Sequence, residues 1–442
     1  MNRTDNPPLK LSRRDLLAAA PATALALAAA PAITCAADPA QGKTKRPKIA
    51  ALGTEFRRNS HVEVIVDRFL EGYGWEGAHY RPHVDLVSLY IDQQPEGDLS
   101  RERDARFEHL TLYPSIREAL YLGGDKLAVD GVIIIGEHGN YPVNEKGQTL
   151  YPRYEFFDET VKVFRESGRG VPVFNDKHLS WSWDLSKKMV DTARELRFPL
   201  AAGSSVPITW RLPSVEMPLG AEVTEIVSVG VGNPDSYDFH SLEAMQALVE
   251  RRKGGESGVV RLQALRGDAV WKLLETSDWN SGGLDGELFE ACLCRSHELV
   301  PAREGFNHIY PTRTDMRRMV KDPVAYRFEH ADGLKSTMLL LNGLVGDITA
   351  AARIRGQRDP LSTQFYLGGG GSTQPHNFDA LAWQIEKFIH TGRPVQPLQR
   401  TLLTSGLVTA GVESLFQNGK LLDTPHLQIA YQPNPESTFR RS

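Results

Sequence analysis

The sequence predicts two α/β halves: a doubly wound parallel sheet, then an α+β region built on an open, mainly antiparallel sheet. Three observations predict this. Short apolar runs alternate with helical periodicity from residue 48 to about 205. Gly131-Val132-Ile133-Ile134-Ile135-Gly136 holds four consecutive apolar residues, the pattern of a strand buried on both faces. After residue 206 the strand patterns come in groups, with one layer of helices expected over them.

The elements follow in order. Lys48 to Leu52 reads as a first buried strand ending at Gly53, and His61 to Leu70 has helical spacing through Val62, Ile65, Val66 and Phe69. A second strand is expected at Val84 to Ile91, closed by Asp92. Helices are expected at Leu99 to His109, with Asp98 as N-cap, and at Ile116 to Leu122. Phe156 to Glu166 is amphipathic, Val171 to Phe174 a strand, Leu185 to Leu196 a helix, and Leu200 to Gly203 the last strand of the series. The second half opens with a strand at Glu222 to Val231 and a helix at Ser241 to Arg252, followed by a strand at Val259 to Leu265. Helical patterns at Ala269 to Leu274 and Leu284 to Leu293 come next. Strands are then expected at Ala325 to His330, Ser336 to Leu341, Ile348 to Ile354 and Gln364 to Leu367. Helices at Phe378 to His390 and Arg400 to Leu415 end it. The expected organisation is a leader at 1–37, a linker at 38–47, domains at 48–205 and 206–432, and a tail at 433–442.

Composition bounds the function. The chain has 442 residues, 41% hydrophobic and 24% charged, which supplies a large core. A net charge of −4 gives no bulk electrostatic footprint for nucleic acid. Cys35, Cys292 and Cys294 make no disulfide framework, and Cys292 and Cys294 read as buried small hydrophobes. Beyond the N-terminus no apolar run reaches the ~20 residues that span a bilayer. Ser12-Arg13-Arg14-Asp15-Leu16-Leu17, followed by an alanine-rich stretch and small residues around Cys35, reads as a twin-arginine signal peptide, with a periplasmic destination expected. A basic N-terminal tail that stays attached and Cys35 as a lipid-anchor cysteine are the alternatives.

The order of these elements resembles the Gfo/Idh/MocA oxidoreductases. The residues that carry it are Asp130 to Ile135, Asn175-Asp176-Lys177-His178-Leu179 with Pro199 to Gly203, and Phe378-Asp379-Ala380 through Thr391-Gly392-Arg393-Pro394. An exported branch of that family is similar in its Gly136-Glu137-His138-Gly139-Asn140-Tyr141-Pro142 stretch. The resemblance implies NAD or NADP on a Rossmann-like first domain, a carbohydrate or polyol substrate, and a second sheet that covers the cofactor and can pair subunits. It implies Lys177 as the catalytic lysine and His240 as its proton-transfer partner; Glu137 and His138, directly after the strongest strand, are expected to face the cleft, with His138 orienting the substrate. Gly53, Thr54, Arg57, Arg58, Asp92, Gly136, Glu137 and Asp176 would lie along the cofactor. Transient oxidation with a tightly held cofactor would suit an exported enzyme.

The sequence departs from that pattern. Gly53-Thr54-Glu55-Phe56-Arg57-Arg58-Asn59-Ser60-His61 keeps one glycine where GxGxxG belongs. Glu55 would repel a diphosphate, whereas Arg57 and Arg58 would attract one. Asp92 lies 39 residues beyond Gly53, against the usual ~20 for a ribose-binding acid, with an insert at 72–83 in between. His178 replaces the proline after the catalytic lysine, either to titrate or to cap a helix. The carboxylate partner of His240 is open between Asp235 and Asp238. Glu137, His138, Asp176 and His178 make an alternative metal set for a cofactor-free lyase or hydrolase. A non-catalytic sugar-binding protein is the other alternative. Tyr141 to Arg153 and Trp181 with Trp183 read either as sugar contacts or as ordinary loop and packing residues; His376 is a further candidate for the cleft.

Overall fold

The structure is a computed structural model that describes residues 46–303, 310–368 and 375–441. The expected leader with Arg13, Arg14 and Cys35, the linker up to residue 45, and the glycines at 369–371 lie outside the described residues.

The first sheet has six strands: Lys48–Glu55, Asp85–Gln93, Thr111–Tyr113, Gly131–Ile135, Val173–Asp176 and Leu200–Gly203. All neighbours are parallel. Lys48–Glu55 lies between Asp85–Gln93 and Gly131–Ile135, so the chain reverses its winding direction there. The crevice at the carboxyl ends of these strands is where doubly wound sheets bind ligands. Helices His61–Glu71 and Asn377–Thr391 cover one face through Ile65, Phe69, Ile385 and Phe388. Ile116–Tyr121, Arg153–Ser167 and Trp183–Leu196 cover the other through Leu120, Phe157, Val161 and Met189.

The second sheet runs Leu422–Asp423, Val259–Arg266, Val324–His330, Lys335–Leu340, Val223–Gly230, Ile348–Ile354, Leu361–Phe365, Arg211–Leu212. Only Val223–Gly230 with Lys335–Leu340 is a parallel pair. Side chains alternate between faces along a strand. Ile226, Phe328 and Met338 therefore meet Phe239, Leu242 and Leu407 of helices Asp238–Val249 and Leu398–Phe416. Val227, Val229 and Leu339 meet Leu273, Leu288 and Met316 of three further helices: Asp268–Leu273, Gly286–Arg295 and Arg313–Met319.

The structure corrects several expectations. The second sheet carries helices on both faces, not one layer, so its apolar surface is already covered by its own chain. Gly53 lies inside the first strand, not in a phosphate-binding turn. A Cβ there would stand 2.6 Å from Val62 Cγ2, so the glycine lets helix His61–Glu71 press onto the strand. Asp92 lies within the second strand, and the 72–83 insert forms a small hairpin, Tyr73–Trp75 with Ala78–Tyr80. Helix Ser100–Arg106 has Leu99 at its N-cap position without a side-chain bond, and the Asp98 carboxylate one residue earlier accepts from Ser100 N–H at 3.2 Å. Cys292 is buried, but Cys294 is exposed because it faces away from the sheet. No helix among the described residues is long and apolar enough to cross a membrane.

Candidate active site

The site begins with backbone geometry at the strand ends. His138 and Lys177 both adopt left-handed backbone, φ 72° and 63°. Side chains with a Cβ rarely occupy this region, and such outliers gather at functional sites. Lys177 N–H donates to Gly203 O at 3.1 Å, which locks the turn after strand Val173–Asp176 onto its neighbour. Thr54 Oγ1 donates to Glu137 O at 2.6 Å and fixes the turn after Gly131–Ile135.

Beneath these turns lies a buried charge network. Lys177 Nζ donates to Glu137 Oε1 at 2.9 Å, and Arg153 bonds the other carboxylate oxygen. Burial alone would raise the Glu137 carboxyl, but Lys177 and Arg153 outweigh it and hold it well below the usual range. Arg153 also reaches His178 Nε2 at 3.0 Å. Burial, then Arg153, holds that imidazole well below its ordinary value. Gly136 has no Cβ because Arg153 Cγ would stand 2.5 Å from it.

Above the network three imidazoles meet. The ring of His61 lies 5.4 Å from that of His138 and 6.5 Å from that of His240. His61 is the first residue of its helix, and its Nδ1 lies 2.6 Å from Asp176 Oδ2. The carboxylate accepts, so Nδ1 carries the proton and Nε2 is the nitrogen offered to a ligand. His61 N–H donates to His138 Nδ1 at 3.4 Å, which leaves the His138 proton on Nε2. Burial, then His61, lowers His138 to about 3. His240 Nδ1 lies 2.6 Å from Ser204 Oγ, and burial followed by Lys177 keeps this ring neutral as well.

These rings line a cavity of about 480 Å³, walled further by Ser205, Tyr237, Asn377, Phe378 and Glu298. The volume suits a small ligand. Lys177 is not in that lining: it stands behind it, under the ring of Tyr237 at 5.7 Å. Two neutral imidazoles, one carboxylate-oriented imidazole, and aromatic walls can bind hydroxyls and move a proton.

The remaining candidates have other places. Asp238 accepts from Ser236 N, Phe239 N and Tyr326 Oη, and Asp235, pushed up to about 7 by burial, accepts from Gln148; the His240 ring meets Ser204 instead of either carboxylate. Asp92 accepts from the hydroxyls of Tyr90 and Tyr141. Asn144 and Gln148 bond each other, Gln148 also donates to Trp181 O and Asp235, and Lys146 pairs with Glu413, so the polar side chains of the 141–153 loop are engaged by the protein itself. Trp183 packs on the ring of His426. His376 pairs with Asp379 at 2.9 Å.

The metal alternative does not assemble. Glu137 is held by Lys177 and Arg153, His178 turns to Arg153, and no group of three or more His, Cys, Asp or Glu among the described residues is placed to hold a metal ion. A dinucleotide fits poorly too. Its diphosphate would meet the Glu55 and Glu63 carboxylates at a turn whose helix is capped by Ser60, where GxGxxG enzymes place bare glycine amides.

His61 escaped the sequence reading, although one signal was present. The first residue of the helix after the first strand always stands at the carboxyl edge of a doubly wound sheet.

No family model matches the chain, and no curated protein matches it. Solved structures do. Apo scyllo-inositol dehydrogenase from Lactobacillus casei aligns at 10% identity over 86% of this chain and 98% of its own, with a TM-score of 0.50. A putative myo-inositol dehydrogenase from Sinorhizobium meliloti 1021 aligns at 12% over 85% and 99%, also at 0.50. Myo-inositol dehydrogenase from Lactobacillus casei, in complex with NAD(H) and myo-inositol, aligns at 10% over 89% and 99%, at 0.49. At these identities the likeness is one of fold. The chain shares with these dehydrogenases a fold of a Rossmann-like parallel sheet followed by a mainly antiparallel one.

Proposed function

We propose that this chain is an acid–base enzyme acting on a carbohydrate or polyol in the three-histidine cavity. The observation that carries this reading is the Asp176–His61 pair at 2.6 Å, set beside His138 and His240 in one cavity wall. His61 Nε2 takes a proton from the substrate, and Asp176 fixes its tautomer and stabilises the imidazolium that forms. His138 Nε2–H donates to a substrate oxygen. His240, oriented by Ser204, faces the same space from the second half of the chain. Tyr237 and Phe378 offer apolar faces to a ring. The fold shared with inositol dehydrogenases supports a polyol-like substrate.

Lys177 serves in this reading as a positioning residue that holds Glu137 and, through it, the turn bearing His138. Hydride transfer to NAD(P), expected from the resemblance, is not carried forward, because the residues of the turn do not fit the diphosphate. Export in the folded state belongs to the proposal and rests on Ser12 to Leu17.

The test is a panel of inositols, aldoses, ketoses and glycosides, scored by thermal shift and by product formation. Conversion of one of them by the native protein, abolished in His61→Asn, is the expected result. A ligand that binds tightly but is never converted identifies a sugar-binding protein instead. A panel without binding or conversion overturns the reading.

A further inference from the structure

We infer that the chain has closed its own dinucleotide site and works without NAD(P). The inference concerns the same region as the proposed function, but it stands mainly on Glu55, Phe56, Ser60, Glu63 and Asp92.

A Rossmann diphosphate needs three things at the first strand–helix turn: room, bare amides and an absence of negative charge. The turn itself is filled by Glu55, which ends the first strand as a buried side chain paired with Arg57, and by Phe56, which is fully buried and covered by Arg103 at 5.6 Å, so the space beside the turn opens only from Arg58 and Asn59 onward. The amides are already used. His61 N–H donates to His138 Nδ1, Glu63 N–H to Ser60 Oγ at 3.2 Å, and Asn59 N–H to the Glu63 carboxylate. That carboxylate, in the first helical turn, supplies the negative charge that the helix N-terminus favours. The acid expected to hold a ribose is engaged as well: Asp92 accepts from Tyr90 at 2.8 Å and Tyr141 at 2.7 Å.

Each substitution does part of the diphosphate's work from within the chain. Glu63 compensates the helix dipole, Ser60 and His138 satisfy its amides, and Glu55 neutralises the adjacent arginine. The turn is complete without a ligand. A bound diphosphate would have to displace these bonds and stand beside two carboxylates. The chemistry left to the cavity is proton transfer within one substrate, with no electrons passed to a nucleotide.

The experiment uses the native chain purified in its folded form. The protein is denatured and the released small molecules are analysed for NAD, NADH, NADP and NADPH. Folded protein is also melted with each nucleotide at about 1 mM, where binding with a dissociation constant a hundredfold lower would raise the midpoint measurably. We expect no nucleotide in the released fraction and no shift with any of the four. Recovery of near-stoichiometric nucleotide, or a saturable shift, overturns the inference. The Glu55→Gly/Glu63→Ala variant provides a second arm: gain of a nucleotide-induced shift there, absent in the native chain, supports the role assigned to the two carboxylates. The two readings fail separately. A sugar converted without net oxidation by a nucleotide-loaded protein sinks this inference alone, whereas a nucleotide-free protein inert to every sugar and polyol sinks only the proposed function.

Discussion

Asp176 Oδ2 and His61 Nδ1 lie 2.6 Å apart although 115 positions separate them in the chain. One ends a central strand and the other begins the helix after the first strand, so the sheet's own register brings them together. The carboxylate–imidazole pair of this site is therefore built within the first half of the molecule, not between a second-half aspartate and His240.

Asp176→Asn should leave the fold intact and lower turnover by about 10²–10⁴-fold, the usual worth of a positioned general base. The amide can present its NH₂ to Nδ1 and so favour the wrong tautomer. Steady-state kinetics on the substrate found by the panel, with near-ultraviolet circular dichroism as the fold control, checks this. An unchanged kcat would remove His61 from the chemistry.

Acid should destabilise the protein earlier than carboxylate titration alone would. His138, His178 and His240 all have native values below the ordinary one, which burial causes first in each case. Below about pH 6.5 the unfolded chain binds protons that the native rings refuse. Stability is then full above that pH and falls as pH drops, for His138 down to about 3. Urea midpoints measured at about pH 7.5 and about pH 5 should show the loss. His178→Gln should make the pH dependence shallower.

Glu137→Gln removes the one carboxylate shared by Lys177 and Arg153, both almost wholly buried. Leaving buried charge uncompensated costs about 3–5 kcal/mol. Urea unfolding should register a loss of that order. A loss below about 1 kcal/mol, the range of an exposed pair, would mean that water reaches the network.

Gly53→Ala should cost about 1–3 kcal/mol by overpacking, because Val62 and Ile91 already fill the space. The same variant should leave sugar or polyol binding unchanged, since Gly53 is not in the cavity wall. Calorimetry on the two proteins separates a packing glycine from a ligand-binding one.

Much of the fold was legible because burial writes itself into local pattern. Gly131–Ile135 is apolar throughout since both its faces are covered, and Leu200–Gly203 reads likewise. The second sheet was harder. Glu222 to Val231 reads as an alternating strand with one covered face, yet Ile226, Val227 and Val229 are all buried because helices lie on both faces. Arg313–Met319 went unseen because its seven residues include three arginines and only one buried side chain, Met316. At the site, Lys177 and His240 were visible through resemblance and His138 through its place after the strongest strand; the structure sets both histidines in one cavity wall and Lys177 behind it. The partners were not visible. Arg153 bonding Glu137, Ser204 meeting His240 and His61 meeting Asp176 are contacts across sequence, set by topology.

The helix Asn377–Thr391 lies on the first sheet, where Ile389 fills the hollow left by Gly131 and Phe378 stands 5.1 Å from His61. This imposes an order on biosynthesis. The ribosome makes every strand of the first sheet long before the helix that seals it, so the emerging chain must carry a bare apolar flank through the synthesis of all but the last strand of the second sheet. Residues near 205 mark a change of sheet, not a stopping point for folding. A fragment ending there should need a chaperone or aggregate, whereas the full chain seals this flank only after Thr391 has left the exit tunnel.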